Sequence, residues 1–142
     1  MTKAEKLVET ASSYIDTPFL VHGREPGKYL DCAGVVICAL EAIGEPFHDV
    51  AYRLDPFTDN TDKLVASLNA SFTQVETAIF APGDVLALHF PKIPNHLAIC
   101  VDNNFVIQAT KPKGVRKVSL DYSLRNRIIS VWRLHDASAV VT

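Results

Sequence analysis

A thiol beside an imidazole whose far nitrogen is held by a carbonyl oxygen can break an amide bond through an acyl-thiol intermediate. The sequence offers candidates for each part. Cys32 stands in "LDCAGV" (30–35), directly after Asp31 and at the head of a long apolar run. A cysteine there can be a small core residue of a buried helix. It can also be a nucleophile, because the first turn of a helix presents free N–H groups and a positive dipole end that favour a thiolate. Asp31 would oppose that thiolate, so its charge needs an offset, most naturally a nearby imidazolium. Cys38 and Cys100 sit among apolar neighbours and read as core.

Of five histidines, His48 and His135 lie in loop or tail positions and His89 can alternate outward from a strand. His96 opens a strand just after the Pro-rich stretch "FPKIPN" (90–95), a placement that aims a side chain from the end of a sheet. Gln108 interrupts the apolar "FVIQAT" (105–110). It either takes a solvent-facing position or turns toward His96. A three-residue hairpin loop at 102–104 makes Val101 face Phe105 and Ala98 face Gln108, leaving His96 on the face of Gln108 as a diagonal neighbour. A two-residue loop would put the two on opposite faces. In that geometry the amide oxygen orients the imidazole without adding charge.

The elements that must carry these groups can be read from periodicity. Thr2 and Glu5 form a capping box before an amphipathic helix over 3–15. Residues 18–30, with Pro18, Gly23, Pro26 and Gly27, form an irregular loop. Asp31 is placed to cap a helix over 32–43 that is apolar nearly all round and therefore buried on most sides, with Gly44 and Pro46 ending it. A loop over 45–60 leads to a short helix over about 61–70 capped by Asn60 or Thr61. After Pro82-Gly83 the period changes, and 84–90, 96–101, 105–110, 115–120 and 128–134 read as five mostly antiparallel strands. Helices first and strands second give an α+β class. The last residues, "HDASAVVT", read as a loose tail.

The 142 residues fit a single domain over 1–142, and 48% hydrophobic content supplies a core. A formal charge of −2 leaves no nucleic-acid footprint. No stretch is long enough to enter and span a membrane. Three widely spaced cysteines make neither a disulfide framework nor a zinc-finger spacing, so no metal or cofactor is expected. Lys3, Glu5, Lys6 and Glu9 break up the N-terminus, which lacks a signal peptide's apolar core; the chain is expected to be made in the cytoplasm without a cleavable signal.

Taken in order, "TPFLVHGREPGKYLDCAGVV", "APGDVLALHF" and "NHLAICVDNNFVIQAT" resemble the NlpC family of peptidoglycan cysteine peptidases. The resemblance runs over residues 3–134, and "TPFLVHGR" with the compact size is most similar to the branch found in phage tails and gene-transfer particles. It implies a papain-like fold with Cys32 as nucleophile, His96 as base and Gln108 as orienting residue. The implied substrate is the bacterial stem peptide, cut between D-glutamate and the diamino acid. Phage tail-tip proteins are implied partners, and a bacterial cytoplasmic origin followed by virion-borne delivery is the implied setting. Phe19 occupies the place where many members carry an oxyanion-binding tyrosine, which leaves His22 as the other candidate donor. Ala33 replaces a serine that many members use with the preceding aspartate to hold a free amine, so Asp31 alone is left for that role. Two other functions compete: a thiol acyl-transfer enzyme acting on lipid or another non-wall amide, and a structural tail-assembly module with a vestigial site.

Overall fold

The computed structural model describes residues 1–53, 59–91 and 95–141. In chain order the elements are α1 (Lys3–Ser12), β1 (Arg24–Glu25), β2 (Tyr29–Leu30), α2 (Cys32–Ala42), α3 (Thr61–Ala66), β3 (Phe72–Val75), β4 (Val85–Leu88), β5 (His96–Cys100), β6 (Phe105–Thr110), β7 (Gly114–Ser119), α4 (Tyr122–Arg125) and β8 (Ile128–Leu134). Among the described residues a two-stranded pair, β1–β2, accompanies a six-stranded sheet of order β3-β8-β4-β5-β6-β7, whose neighbours all pair antiparallel.

Both faces of this sheet are covered. On one side α1 and α2 pack over Val85, Ala87, Leu97, Ile99, Ile107 and Ala109. On the other, Leu86, Leu88, Ala98, Cys100 and Val106 meet Phe80, Leu120 and Leu124. This explains why β4 and β5 are apolar without alternation: each residue of both strands is buried. A side chain such as Leu97 or Ile99 contributes about 1.5–3 kcal/mol by leaving water.

The Pro-Gly-Asp turn before β4 pins the central strands. Gly83 takes φ +86, a left-handed conformation that a side chain would strain, and its N–H donates to the Cys100 carbonyl at 2.8 Å. Asp84 is buried and accepts from Arg133 Nε at 3.0 Å, from Arg133 Nη2 at 2.9 Å and from the Ala81 N–H at 2.9 Å. One carboxylate thus ties the start of β4 to β8.

Several sequence expectations are corrected. Among the described residues the main sheet has six strands, not five: the sixth, β3, is a four-residue edge strand of which only Phe72 is buried, too short and too polar for an apolar alternation to show. The helix expected over 3–15 stops at Ser12, where the Ser13 hydroxyl donates to the Thr10 carbonyl at 2.6 Å and the chain turns to Asp16 at φ 78. The helix expected over 61–70 ends at Ala66, and Asn60 stands at its N-cap without a side-chain capping bond. The loop 18–30 contains the β1–β2 pair. Of the loops at 45–60 and 90–95, residues 54–58 and 92–94 lie outside the described residues.

The C-terminal residues are not a loose tail. The N–H groups of Lys3 and Ala4, in the first turn of α1, donate to the carbonyls of Ala139 and Ala137 at 2.8 and 3.0 Å, and the Val141 N–H donates to Met1. A helix start leaves such donors without intrahelical partners, and here the chain's own end supplies the acceptors.

Candidate active site

The site is built around the start of α2. Asp31 takes extended backbone angles at the N-cap and accepts from the Gly34 N–H at 2.8 Å. The helix can begin here because two glycines let the preceding loop lie flat on it. A Cβ on Gly34 would come closer than 3.0 Å to the Gly23 carbonyl oxygen, and a Cβ on Gly23 would meet the backbone of Leu20 and Leu30 at 2.8 Å. The glycine of "DCAG" is therefore a packing requirement.

Asp31 is 0% exposed and fully engaged. Oδ1 also accepts from Arg24 Nη1 at 2.9 Å, while Oδ2 accepts from the His22 N–H at 2.8 Å and from the Tyr52 hydroxyl. The sequence-based expectation that an imidazolium offsets Asp31 is corrected: the ion-pair partner is Arg24. Arg24 in turn donates to Asp49 and, from Nη2 at 2.7 Å, to the Tyr52 oxygen. All four partners of Asp31 are internal, so none of its lone pairs is left over for a substrate amine.

Cys32, the first residue of α2, is 2% exposed. Backbone groups of Leu97 and Ala33 hydrogen-bond to its sulfur. Leu97 is the neighbour of His96, the first residue of β5, itself 5% exposed. Leu97 lies on the sheet face covered by α2, with Cys32 in the same core cluster, and Ala98 on the other face. His96 Nε2 lies 2.8 Å from Gln108 Oε1. A carboxamide oxygen only accepts, so Nε2 carries the hydrogen and Nδ1 keeps the lone pair a base needs. Phe90 stands edge-on to the imidazole with centroids 5.4 Å apart and restricts its rotation. The register behind this contact is the expected one: Ile99 pairs Ile107 and Cys100 pairs Val106, and the Val101 N–H reaches the Phe105 carbonyl at 2.9 Å. Asn95, just before the strand, accepts from the Asn60 N–H at 2.7 Å and ties α3 to this strand end.

Burial pushes the Cys32 thiol up to about 12, and the Asp31 charge acts in the same direction, against the two backbone hydrogen bonds and Arg24. Burial holds the His96 imidazole below its ordinary value of 6.5, opposed by Gln108 and Asp31. Both shifts run toward the uncharged forms, a thiol and a neutral imidazole. Below pH 6.5 the unfolded chain binds a proton at His96 more readily than the folded chain, so stability falls as pH drops through that value toward the folded one and is unaffected above it. The urea midpoint is expected to be lower at pH 5 than at pH 7, with a smaller drop in His96→Gln; equal drops would contradict the assignment.

The other candidates are placed as follows. The His22 side chain is exposed at φ 64, and its Nε2 meets the Tyr52 carbonyl at 2.6 Å. That bond occupies the ring's one N–H when neutral, so His22 is not brought to the thiol as a free donor. Phe19 is half-buried, bridges to Leu30 and lies under Lys111, whose Nζ is 5.8 Å from the ring centroid. His48, His89 and His135 are exposed, and the three cysteines are free thiols. Among the described residues no cluster of three or more metal-ligating side chains is found, and no helix is long and apolar enough to cross a membrane. Sequence reasoning missed Arg24 and Tyr52. The need to offset a buried Asp31 could have pointed to the two cations of the preceding loop, Arg24 and Lys28; Tyr52 carries no local signal.

No protein-family model and no curated protein matches the chain. Solved structures do. The NlpC/p60 domain of peptidoglycan hydrolase SagA superposes with a TM-score of 0.65 at 21% identity, covering 93% of this chain and 99% of that one. NlpC1 from Trichomonas vaginalis gives 0.69 at 16% identity over 93% of this chain and 45% of that one. An NlpC/P60 family protein from Bacillus cereus ATCC 10987 gives 0.70 at 14% identity over 94% and 41%. The chain thus spans less than half the length of the latter two. Its architecture, helices packed on an antiparallel sheet with Cys32 at the head of α2, is the papain-like α+β fold of NlpC/p60 domains.

Proposed function

We propose that the chain is a cysteine peptidase that hydrolyses an amide bond in peptidoglycan stem peptides, with Cys32 as nucleophile, His96 as base and Gln108 as orienting residue. The observation that carries this reading is the His96–Gln108 contact of 2.8 Å at the end of β5, with the Cys32 sulfur hydrogen-bonded at the adjacent Leu97. The NlpC/p60 fold supports the wall peptide as substrate class, since one structural neighbour is described as a peptidoglycan hydrolase.

His96 Nδ1 takes the Cys32 proton as the sulfur attacks the carbonyl carbon. The carbonyl oxygen becomes an oxyanion, and the backbone N–H of Cys32 at the head of α2 supplies charge stabilisation. The imidazolium then protonates the leaving amine, which departs as the thioester forms. Water, deprotonated by His96, attacks the thioester and releases the acid and the free thiol. Gln108 keeps Nε2–H engaged throughout.

The bond between D-glutamate and the diamino acid is the proposed cleavage point, and a phage-tail setting with tail-tip partners is the proposed context. Both rest on the resemblance of the motif set. Proteomic detection of the chain in purified particles tests the setting. Incubation with purified disaccharide tetrapeptides tests the function: new amino groups on the diamino acid are expected, and an unchanged substrate would overturn it. Gln108→Ala is expected to lower kcat about 10–100-fold with little change in KM. An equal rise in KM with constant kcat would assign Gln108 to substrate binding instead.

A further inference from the structure

We propose that Tyr52 is a positioning residue for Cys32: together with Arg24 it pins the Asp31 carboxylate in its capping orientation and offsets its charge, so that the neighbouring sulfur can become negative during attack. The catalytic consequence rests on the reading of Cys32 as nucleophile; the effect on the thiol does not.

The geometry carries the proposal. Asp31 and Cys32 are adjacent, both are buried, and both must hold negative charge when the thiolate forms. Like charges this close oppose each other strongly in a low-dielectric interior. The charged groups around the pair include Asp49, which shares Arg24 with Asp31. Arg24 approaches Asp31 Oδ1 from the β1 side, His96 lies on β5 at the neighbouring strand end, and Tyr52 approaches Oδ2 from the segment after α2. Tyr52 does two things at once. Its hydroxyl donates to Asp31 and accepts from Arg24 Nη2 at 2.7 Å, so it links the anion to its cation. Its carbonyl accepts from His22 Nε2 at 2.6 Å, while the His22 N–H donates to Asp31 at 2.8 Å. The residue therefore closes a ring of hydrogen bonds around the carboxylate. With Oδ1 held by Gly34 and Arg24 and Oδ2 by His22 and Tyr52, Asp31 has no freedom to rotate. The charges around the thiol act in the same sense: Asp31 disfavours its ionised form and Arg24 favours it.

Tyr52→Phe keeps the ring and removes the hydroxyl. The Asp31 charge is then less compensated, and thiolate formation at Cys32 becomes harder. Iodoacetamide alkylation of Cys32, followed by mass spectrometry of its peptide between pH 7 and 10, reports the thiolate fraction, because the thiolate is the species that reacts. Tyr52→Phe is expected to slow alkylation at Cys32 about tenfold while leaving Cys100 unchanged. In an Asp31→Asn background, where the charge is gone but the cap oxygen stays, the same substitution is expected to slow Cys32 less than twofold. Equal slowing in both backgrounds, or no slowing in the wild-type background, would overturn the proposal. On muropeptides, Tyr52→Phe is expected to lower kcat by the same factor with KM unchanged. If the wild-type protein cleaves no muropeptide, the proposed function fails, and the alkylation cycle still decides the role of Tyr52.

Discussion

Gly34→Ala is expected to destabilise the protein by about 3 kcal/mol or more, a large part of the 5–15 kcal/mol that holds a typical domain folded. Two effects compete at this position. Alanine is the better helix former by about 1 kcal/mol, and Gly34 lies inside α2, so propensity alone predicts a gain. The added Cβ, however, would come closer than 3.0 Å to the Gly23 carbonyl oxygen and to 3.1 and 3.3 Å from Arg24 Nη1 and Asp31 Oδ1. The first of these is backbone, and Gly23 is itself wedged against Leu20 and Leu30, so it has nowhere to retreat. Overpacking of this kind costs about 1–3 kcal/mol. Pushing the loop away also breaks the Arg24–Asp31 ion pair and loosens the helix cap, and a buried carboxylate left without its partner costs about 3–5 kcal/mol. The clash therefore wins. Urea denaturation measures it; a midpoint at or above that of the wild type would show that the loop yields more easily than its packing implies.

His96→Ala is expected to lower kcat by about 10³-fold or more while shifting the urea midpoint far less than Gly34→Ala does. General acid–base catalysis alone supplies about 10²–10⁴, and here the base is also needed to ionise a thiol that burial holds at about 12. Without a proton acceptor at Nδ1, the sulfur stays protonated across the working pH range. The loss should be in kcat, because the imidazole is 5% exposed and offers little surface for substrate binding. Added imidazole, small enough to enter the vacated space, is expected to restore part of the rate. Initial rates on purified muropeptides decide the matter, and a variant within tenfold of wild type would place the base elsewhere.

The local parts of this site were legible because local residues determine them. Asp31 caps α2 through a bond to Gly34, three residues on, which any Asp before an apolar run invites. The His96–Gln108 contact was legible because one hairpin loop length sets the register, and 102–104 is that loop. What escaped depended on distant chain. The counter-ion of Asp31 was expected to be an imidazolium but is Arg24, brought in by the β1–β2 turn that the loop's Gly and Pro content concealed. Tyr52 reaches Asp31 from 21 residues away with no periodicity to announce it. The edge strand β3 is visible only through its pairing with β8, Phe72 against Leu134. The chain end looked loose because its partners are the first N–H groups of α1, at the opposite end of the sequence. Burial of Cys32 and the adjacent Asp31 push the thiol up, which the position at a helix start does not show by itself.

The central claim is that Cys32 is the nucleophile of an amide hydrolase. Digestion of purified muropeptides by the wild-type protein and by Cys32→Ala, with products resolved by mass spectrometry, tests it most directly. The wild type is expected to yield two fragments whose masses sum to the parent plus one water, split between D-glutamate and the diamino acid, and Cys32→Ala is expected to leave the parent intact. Cleavage by Cys32→Ala at the wild-type rate would contradict the account.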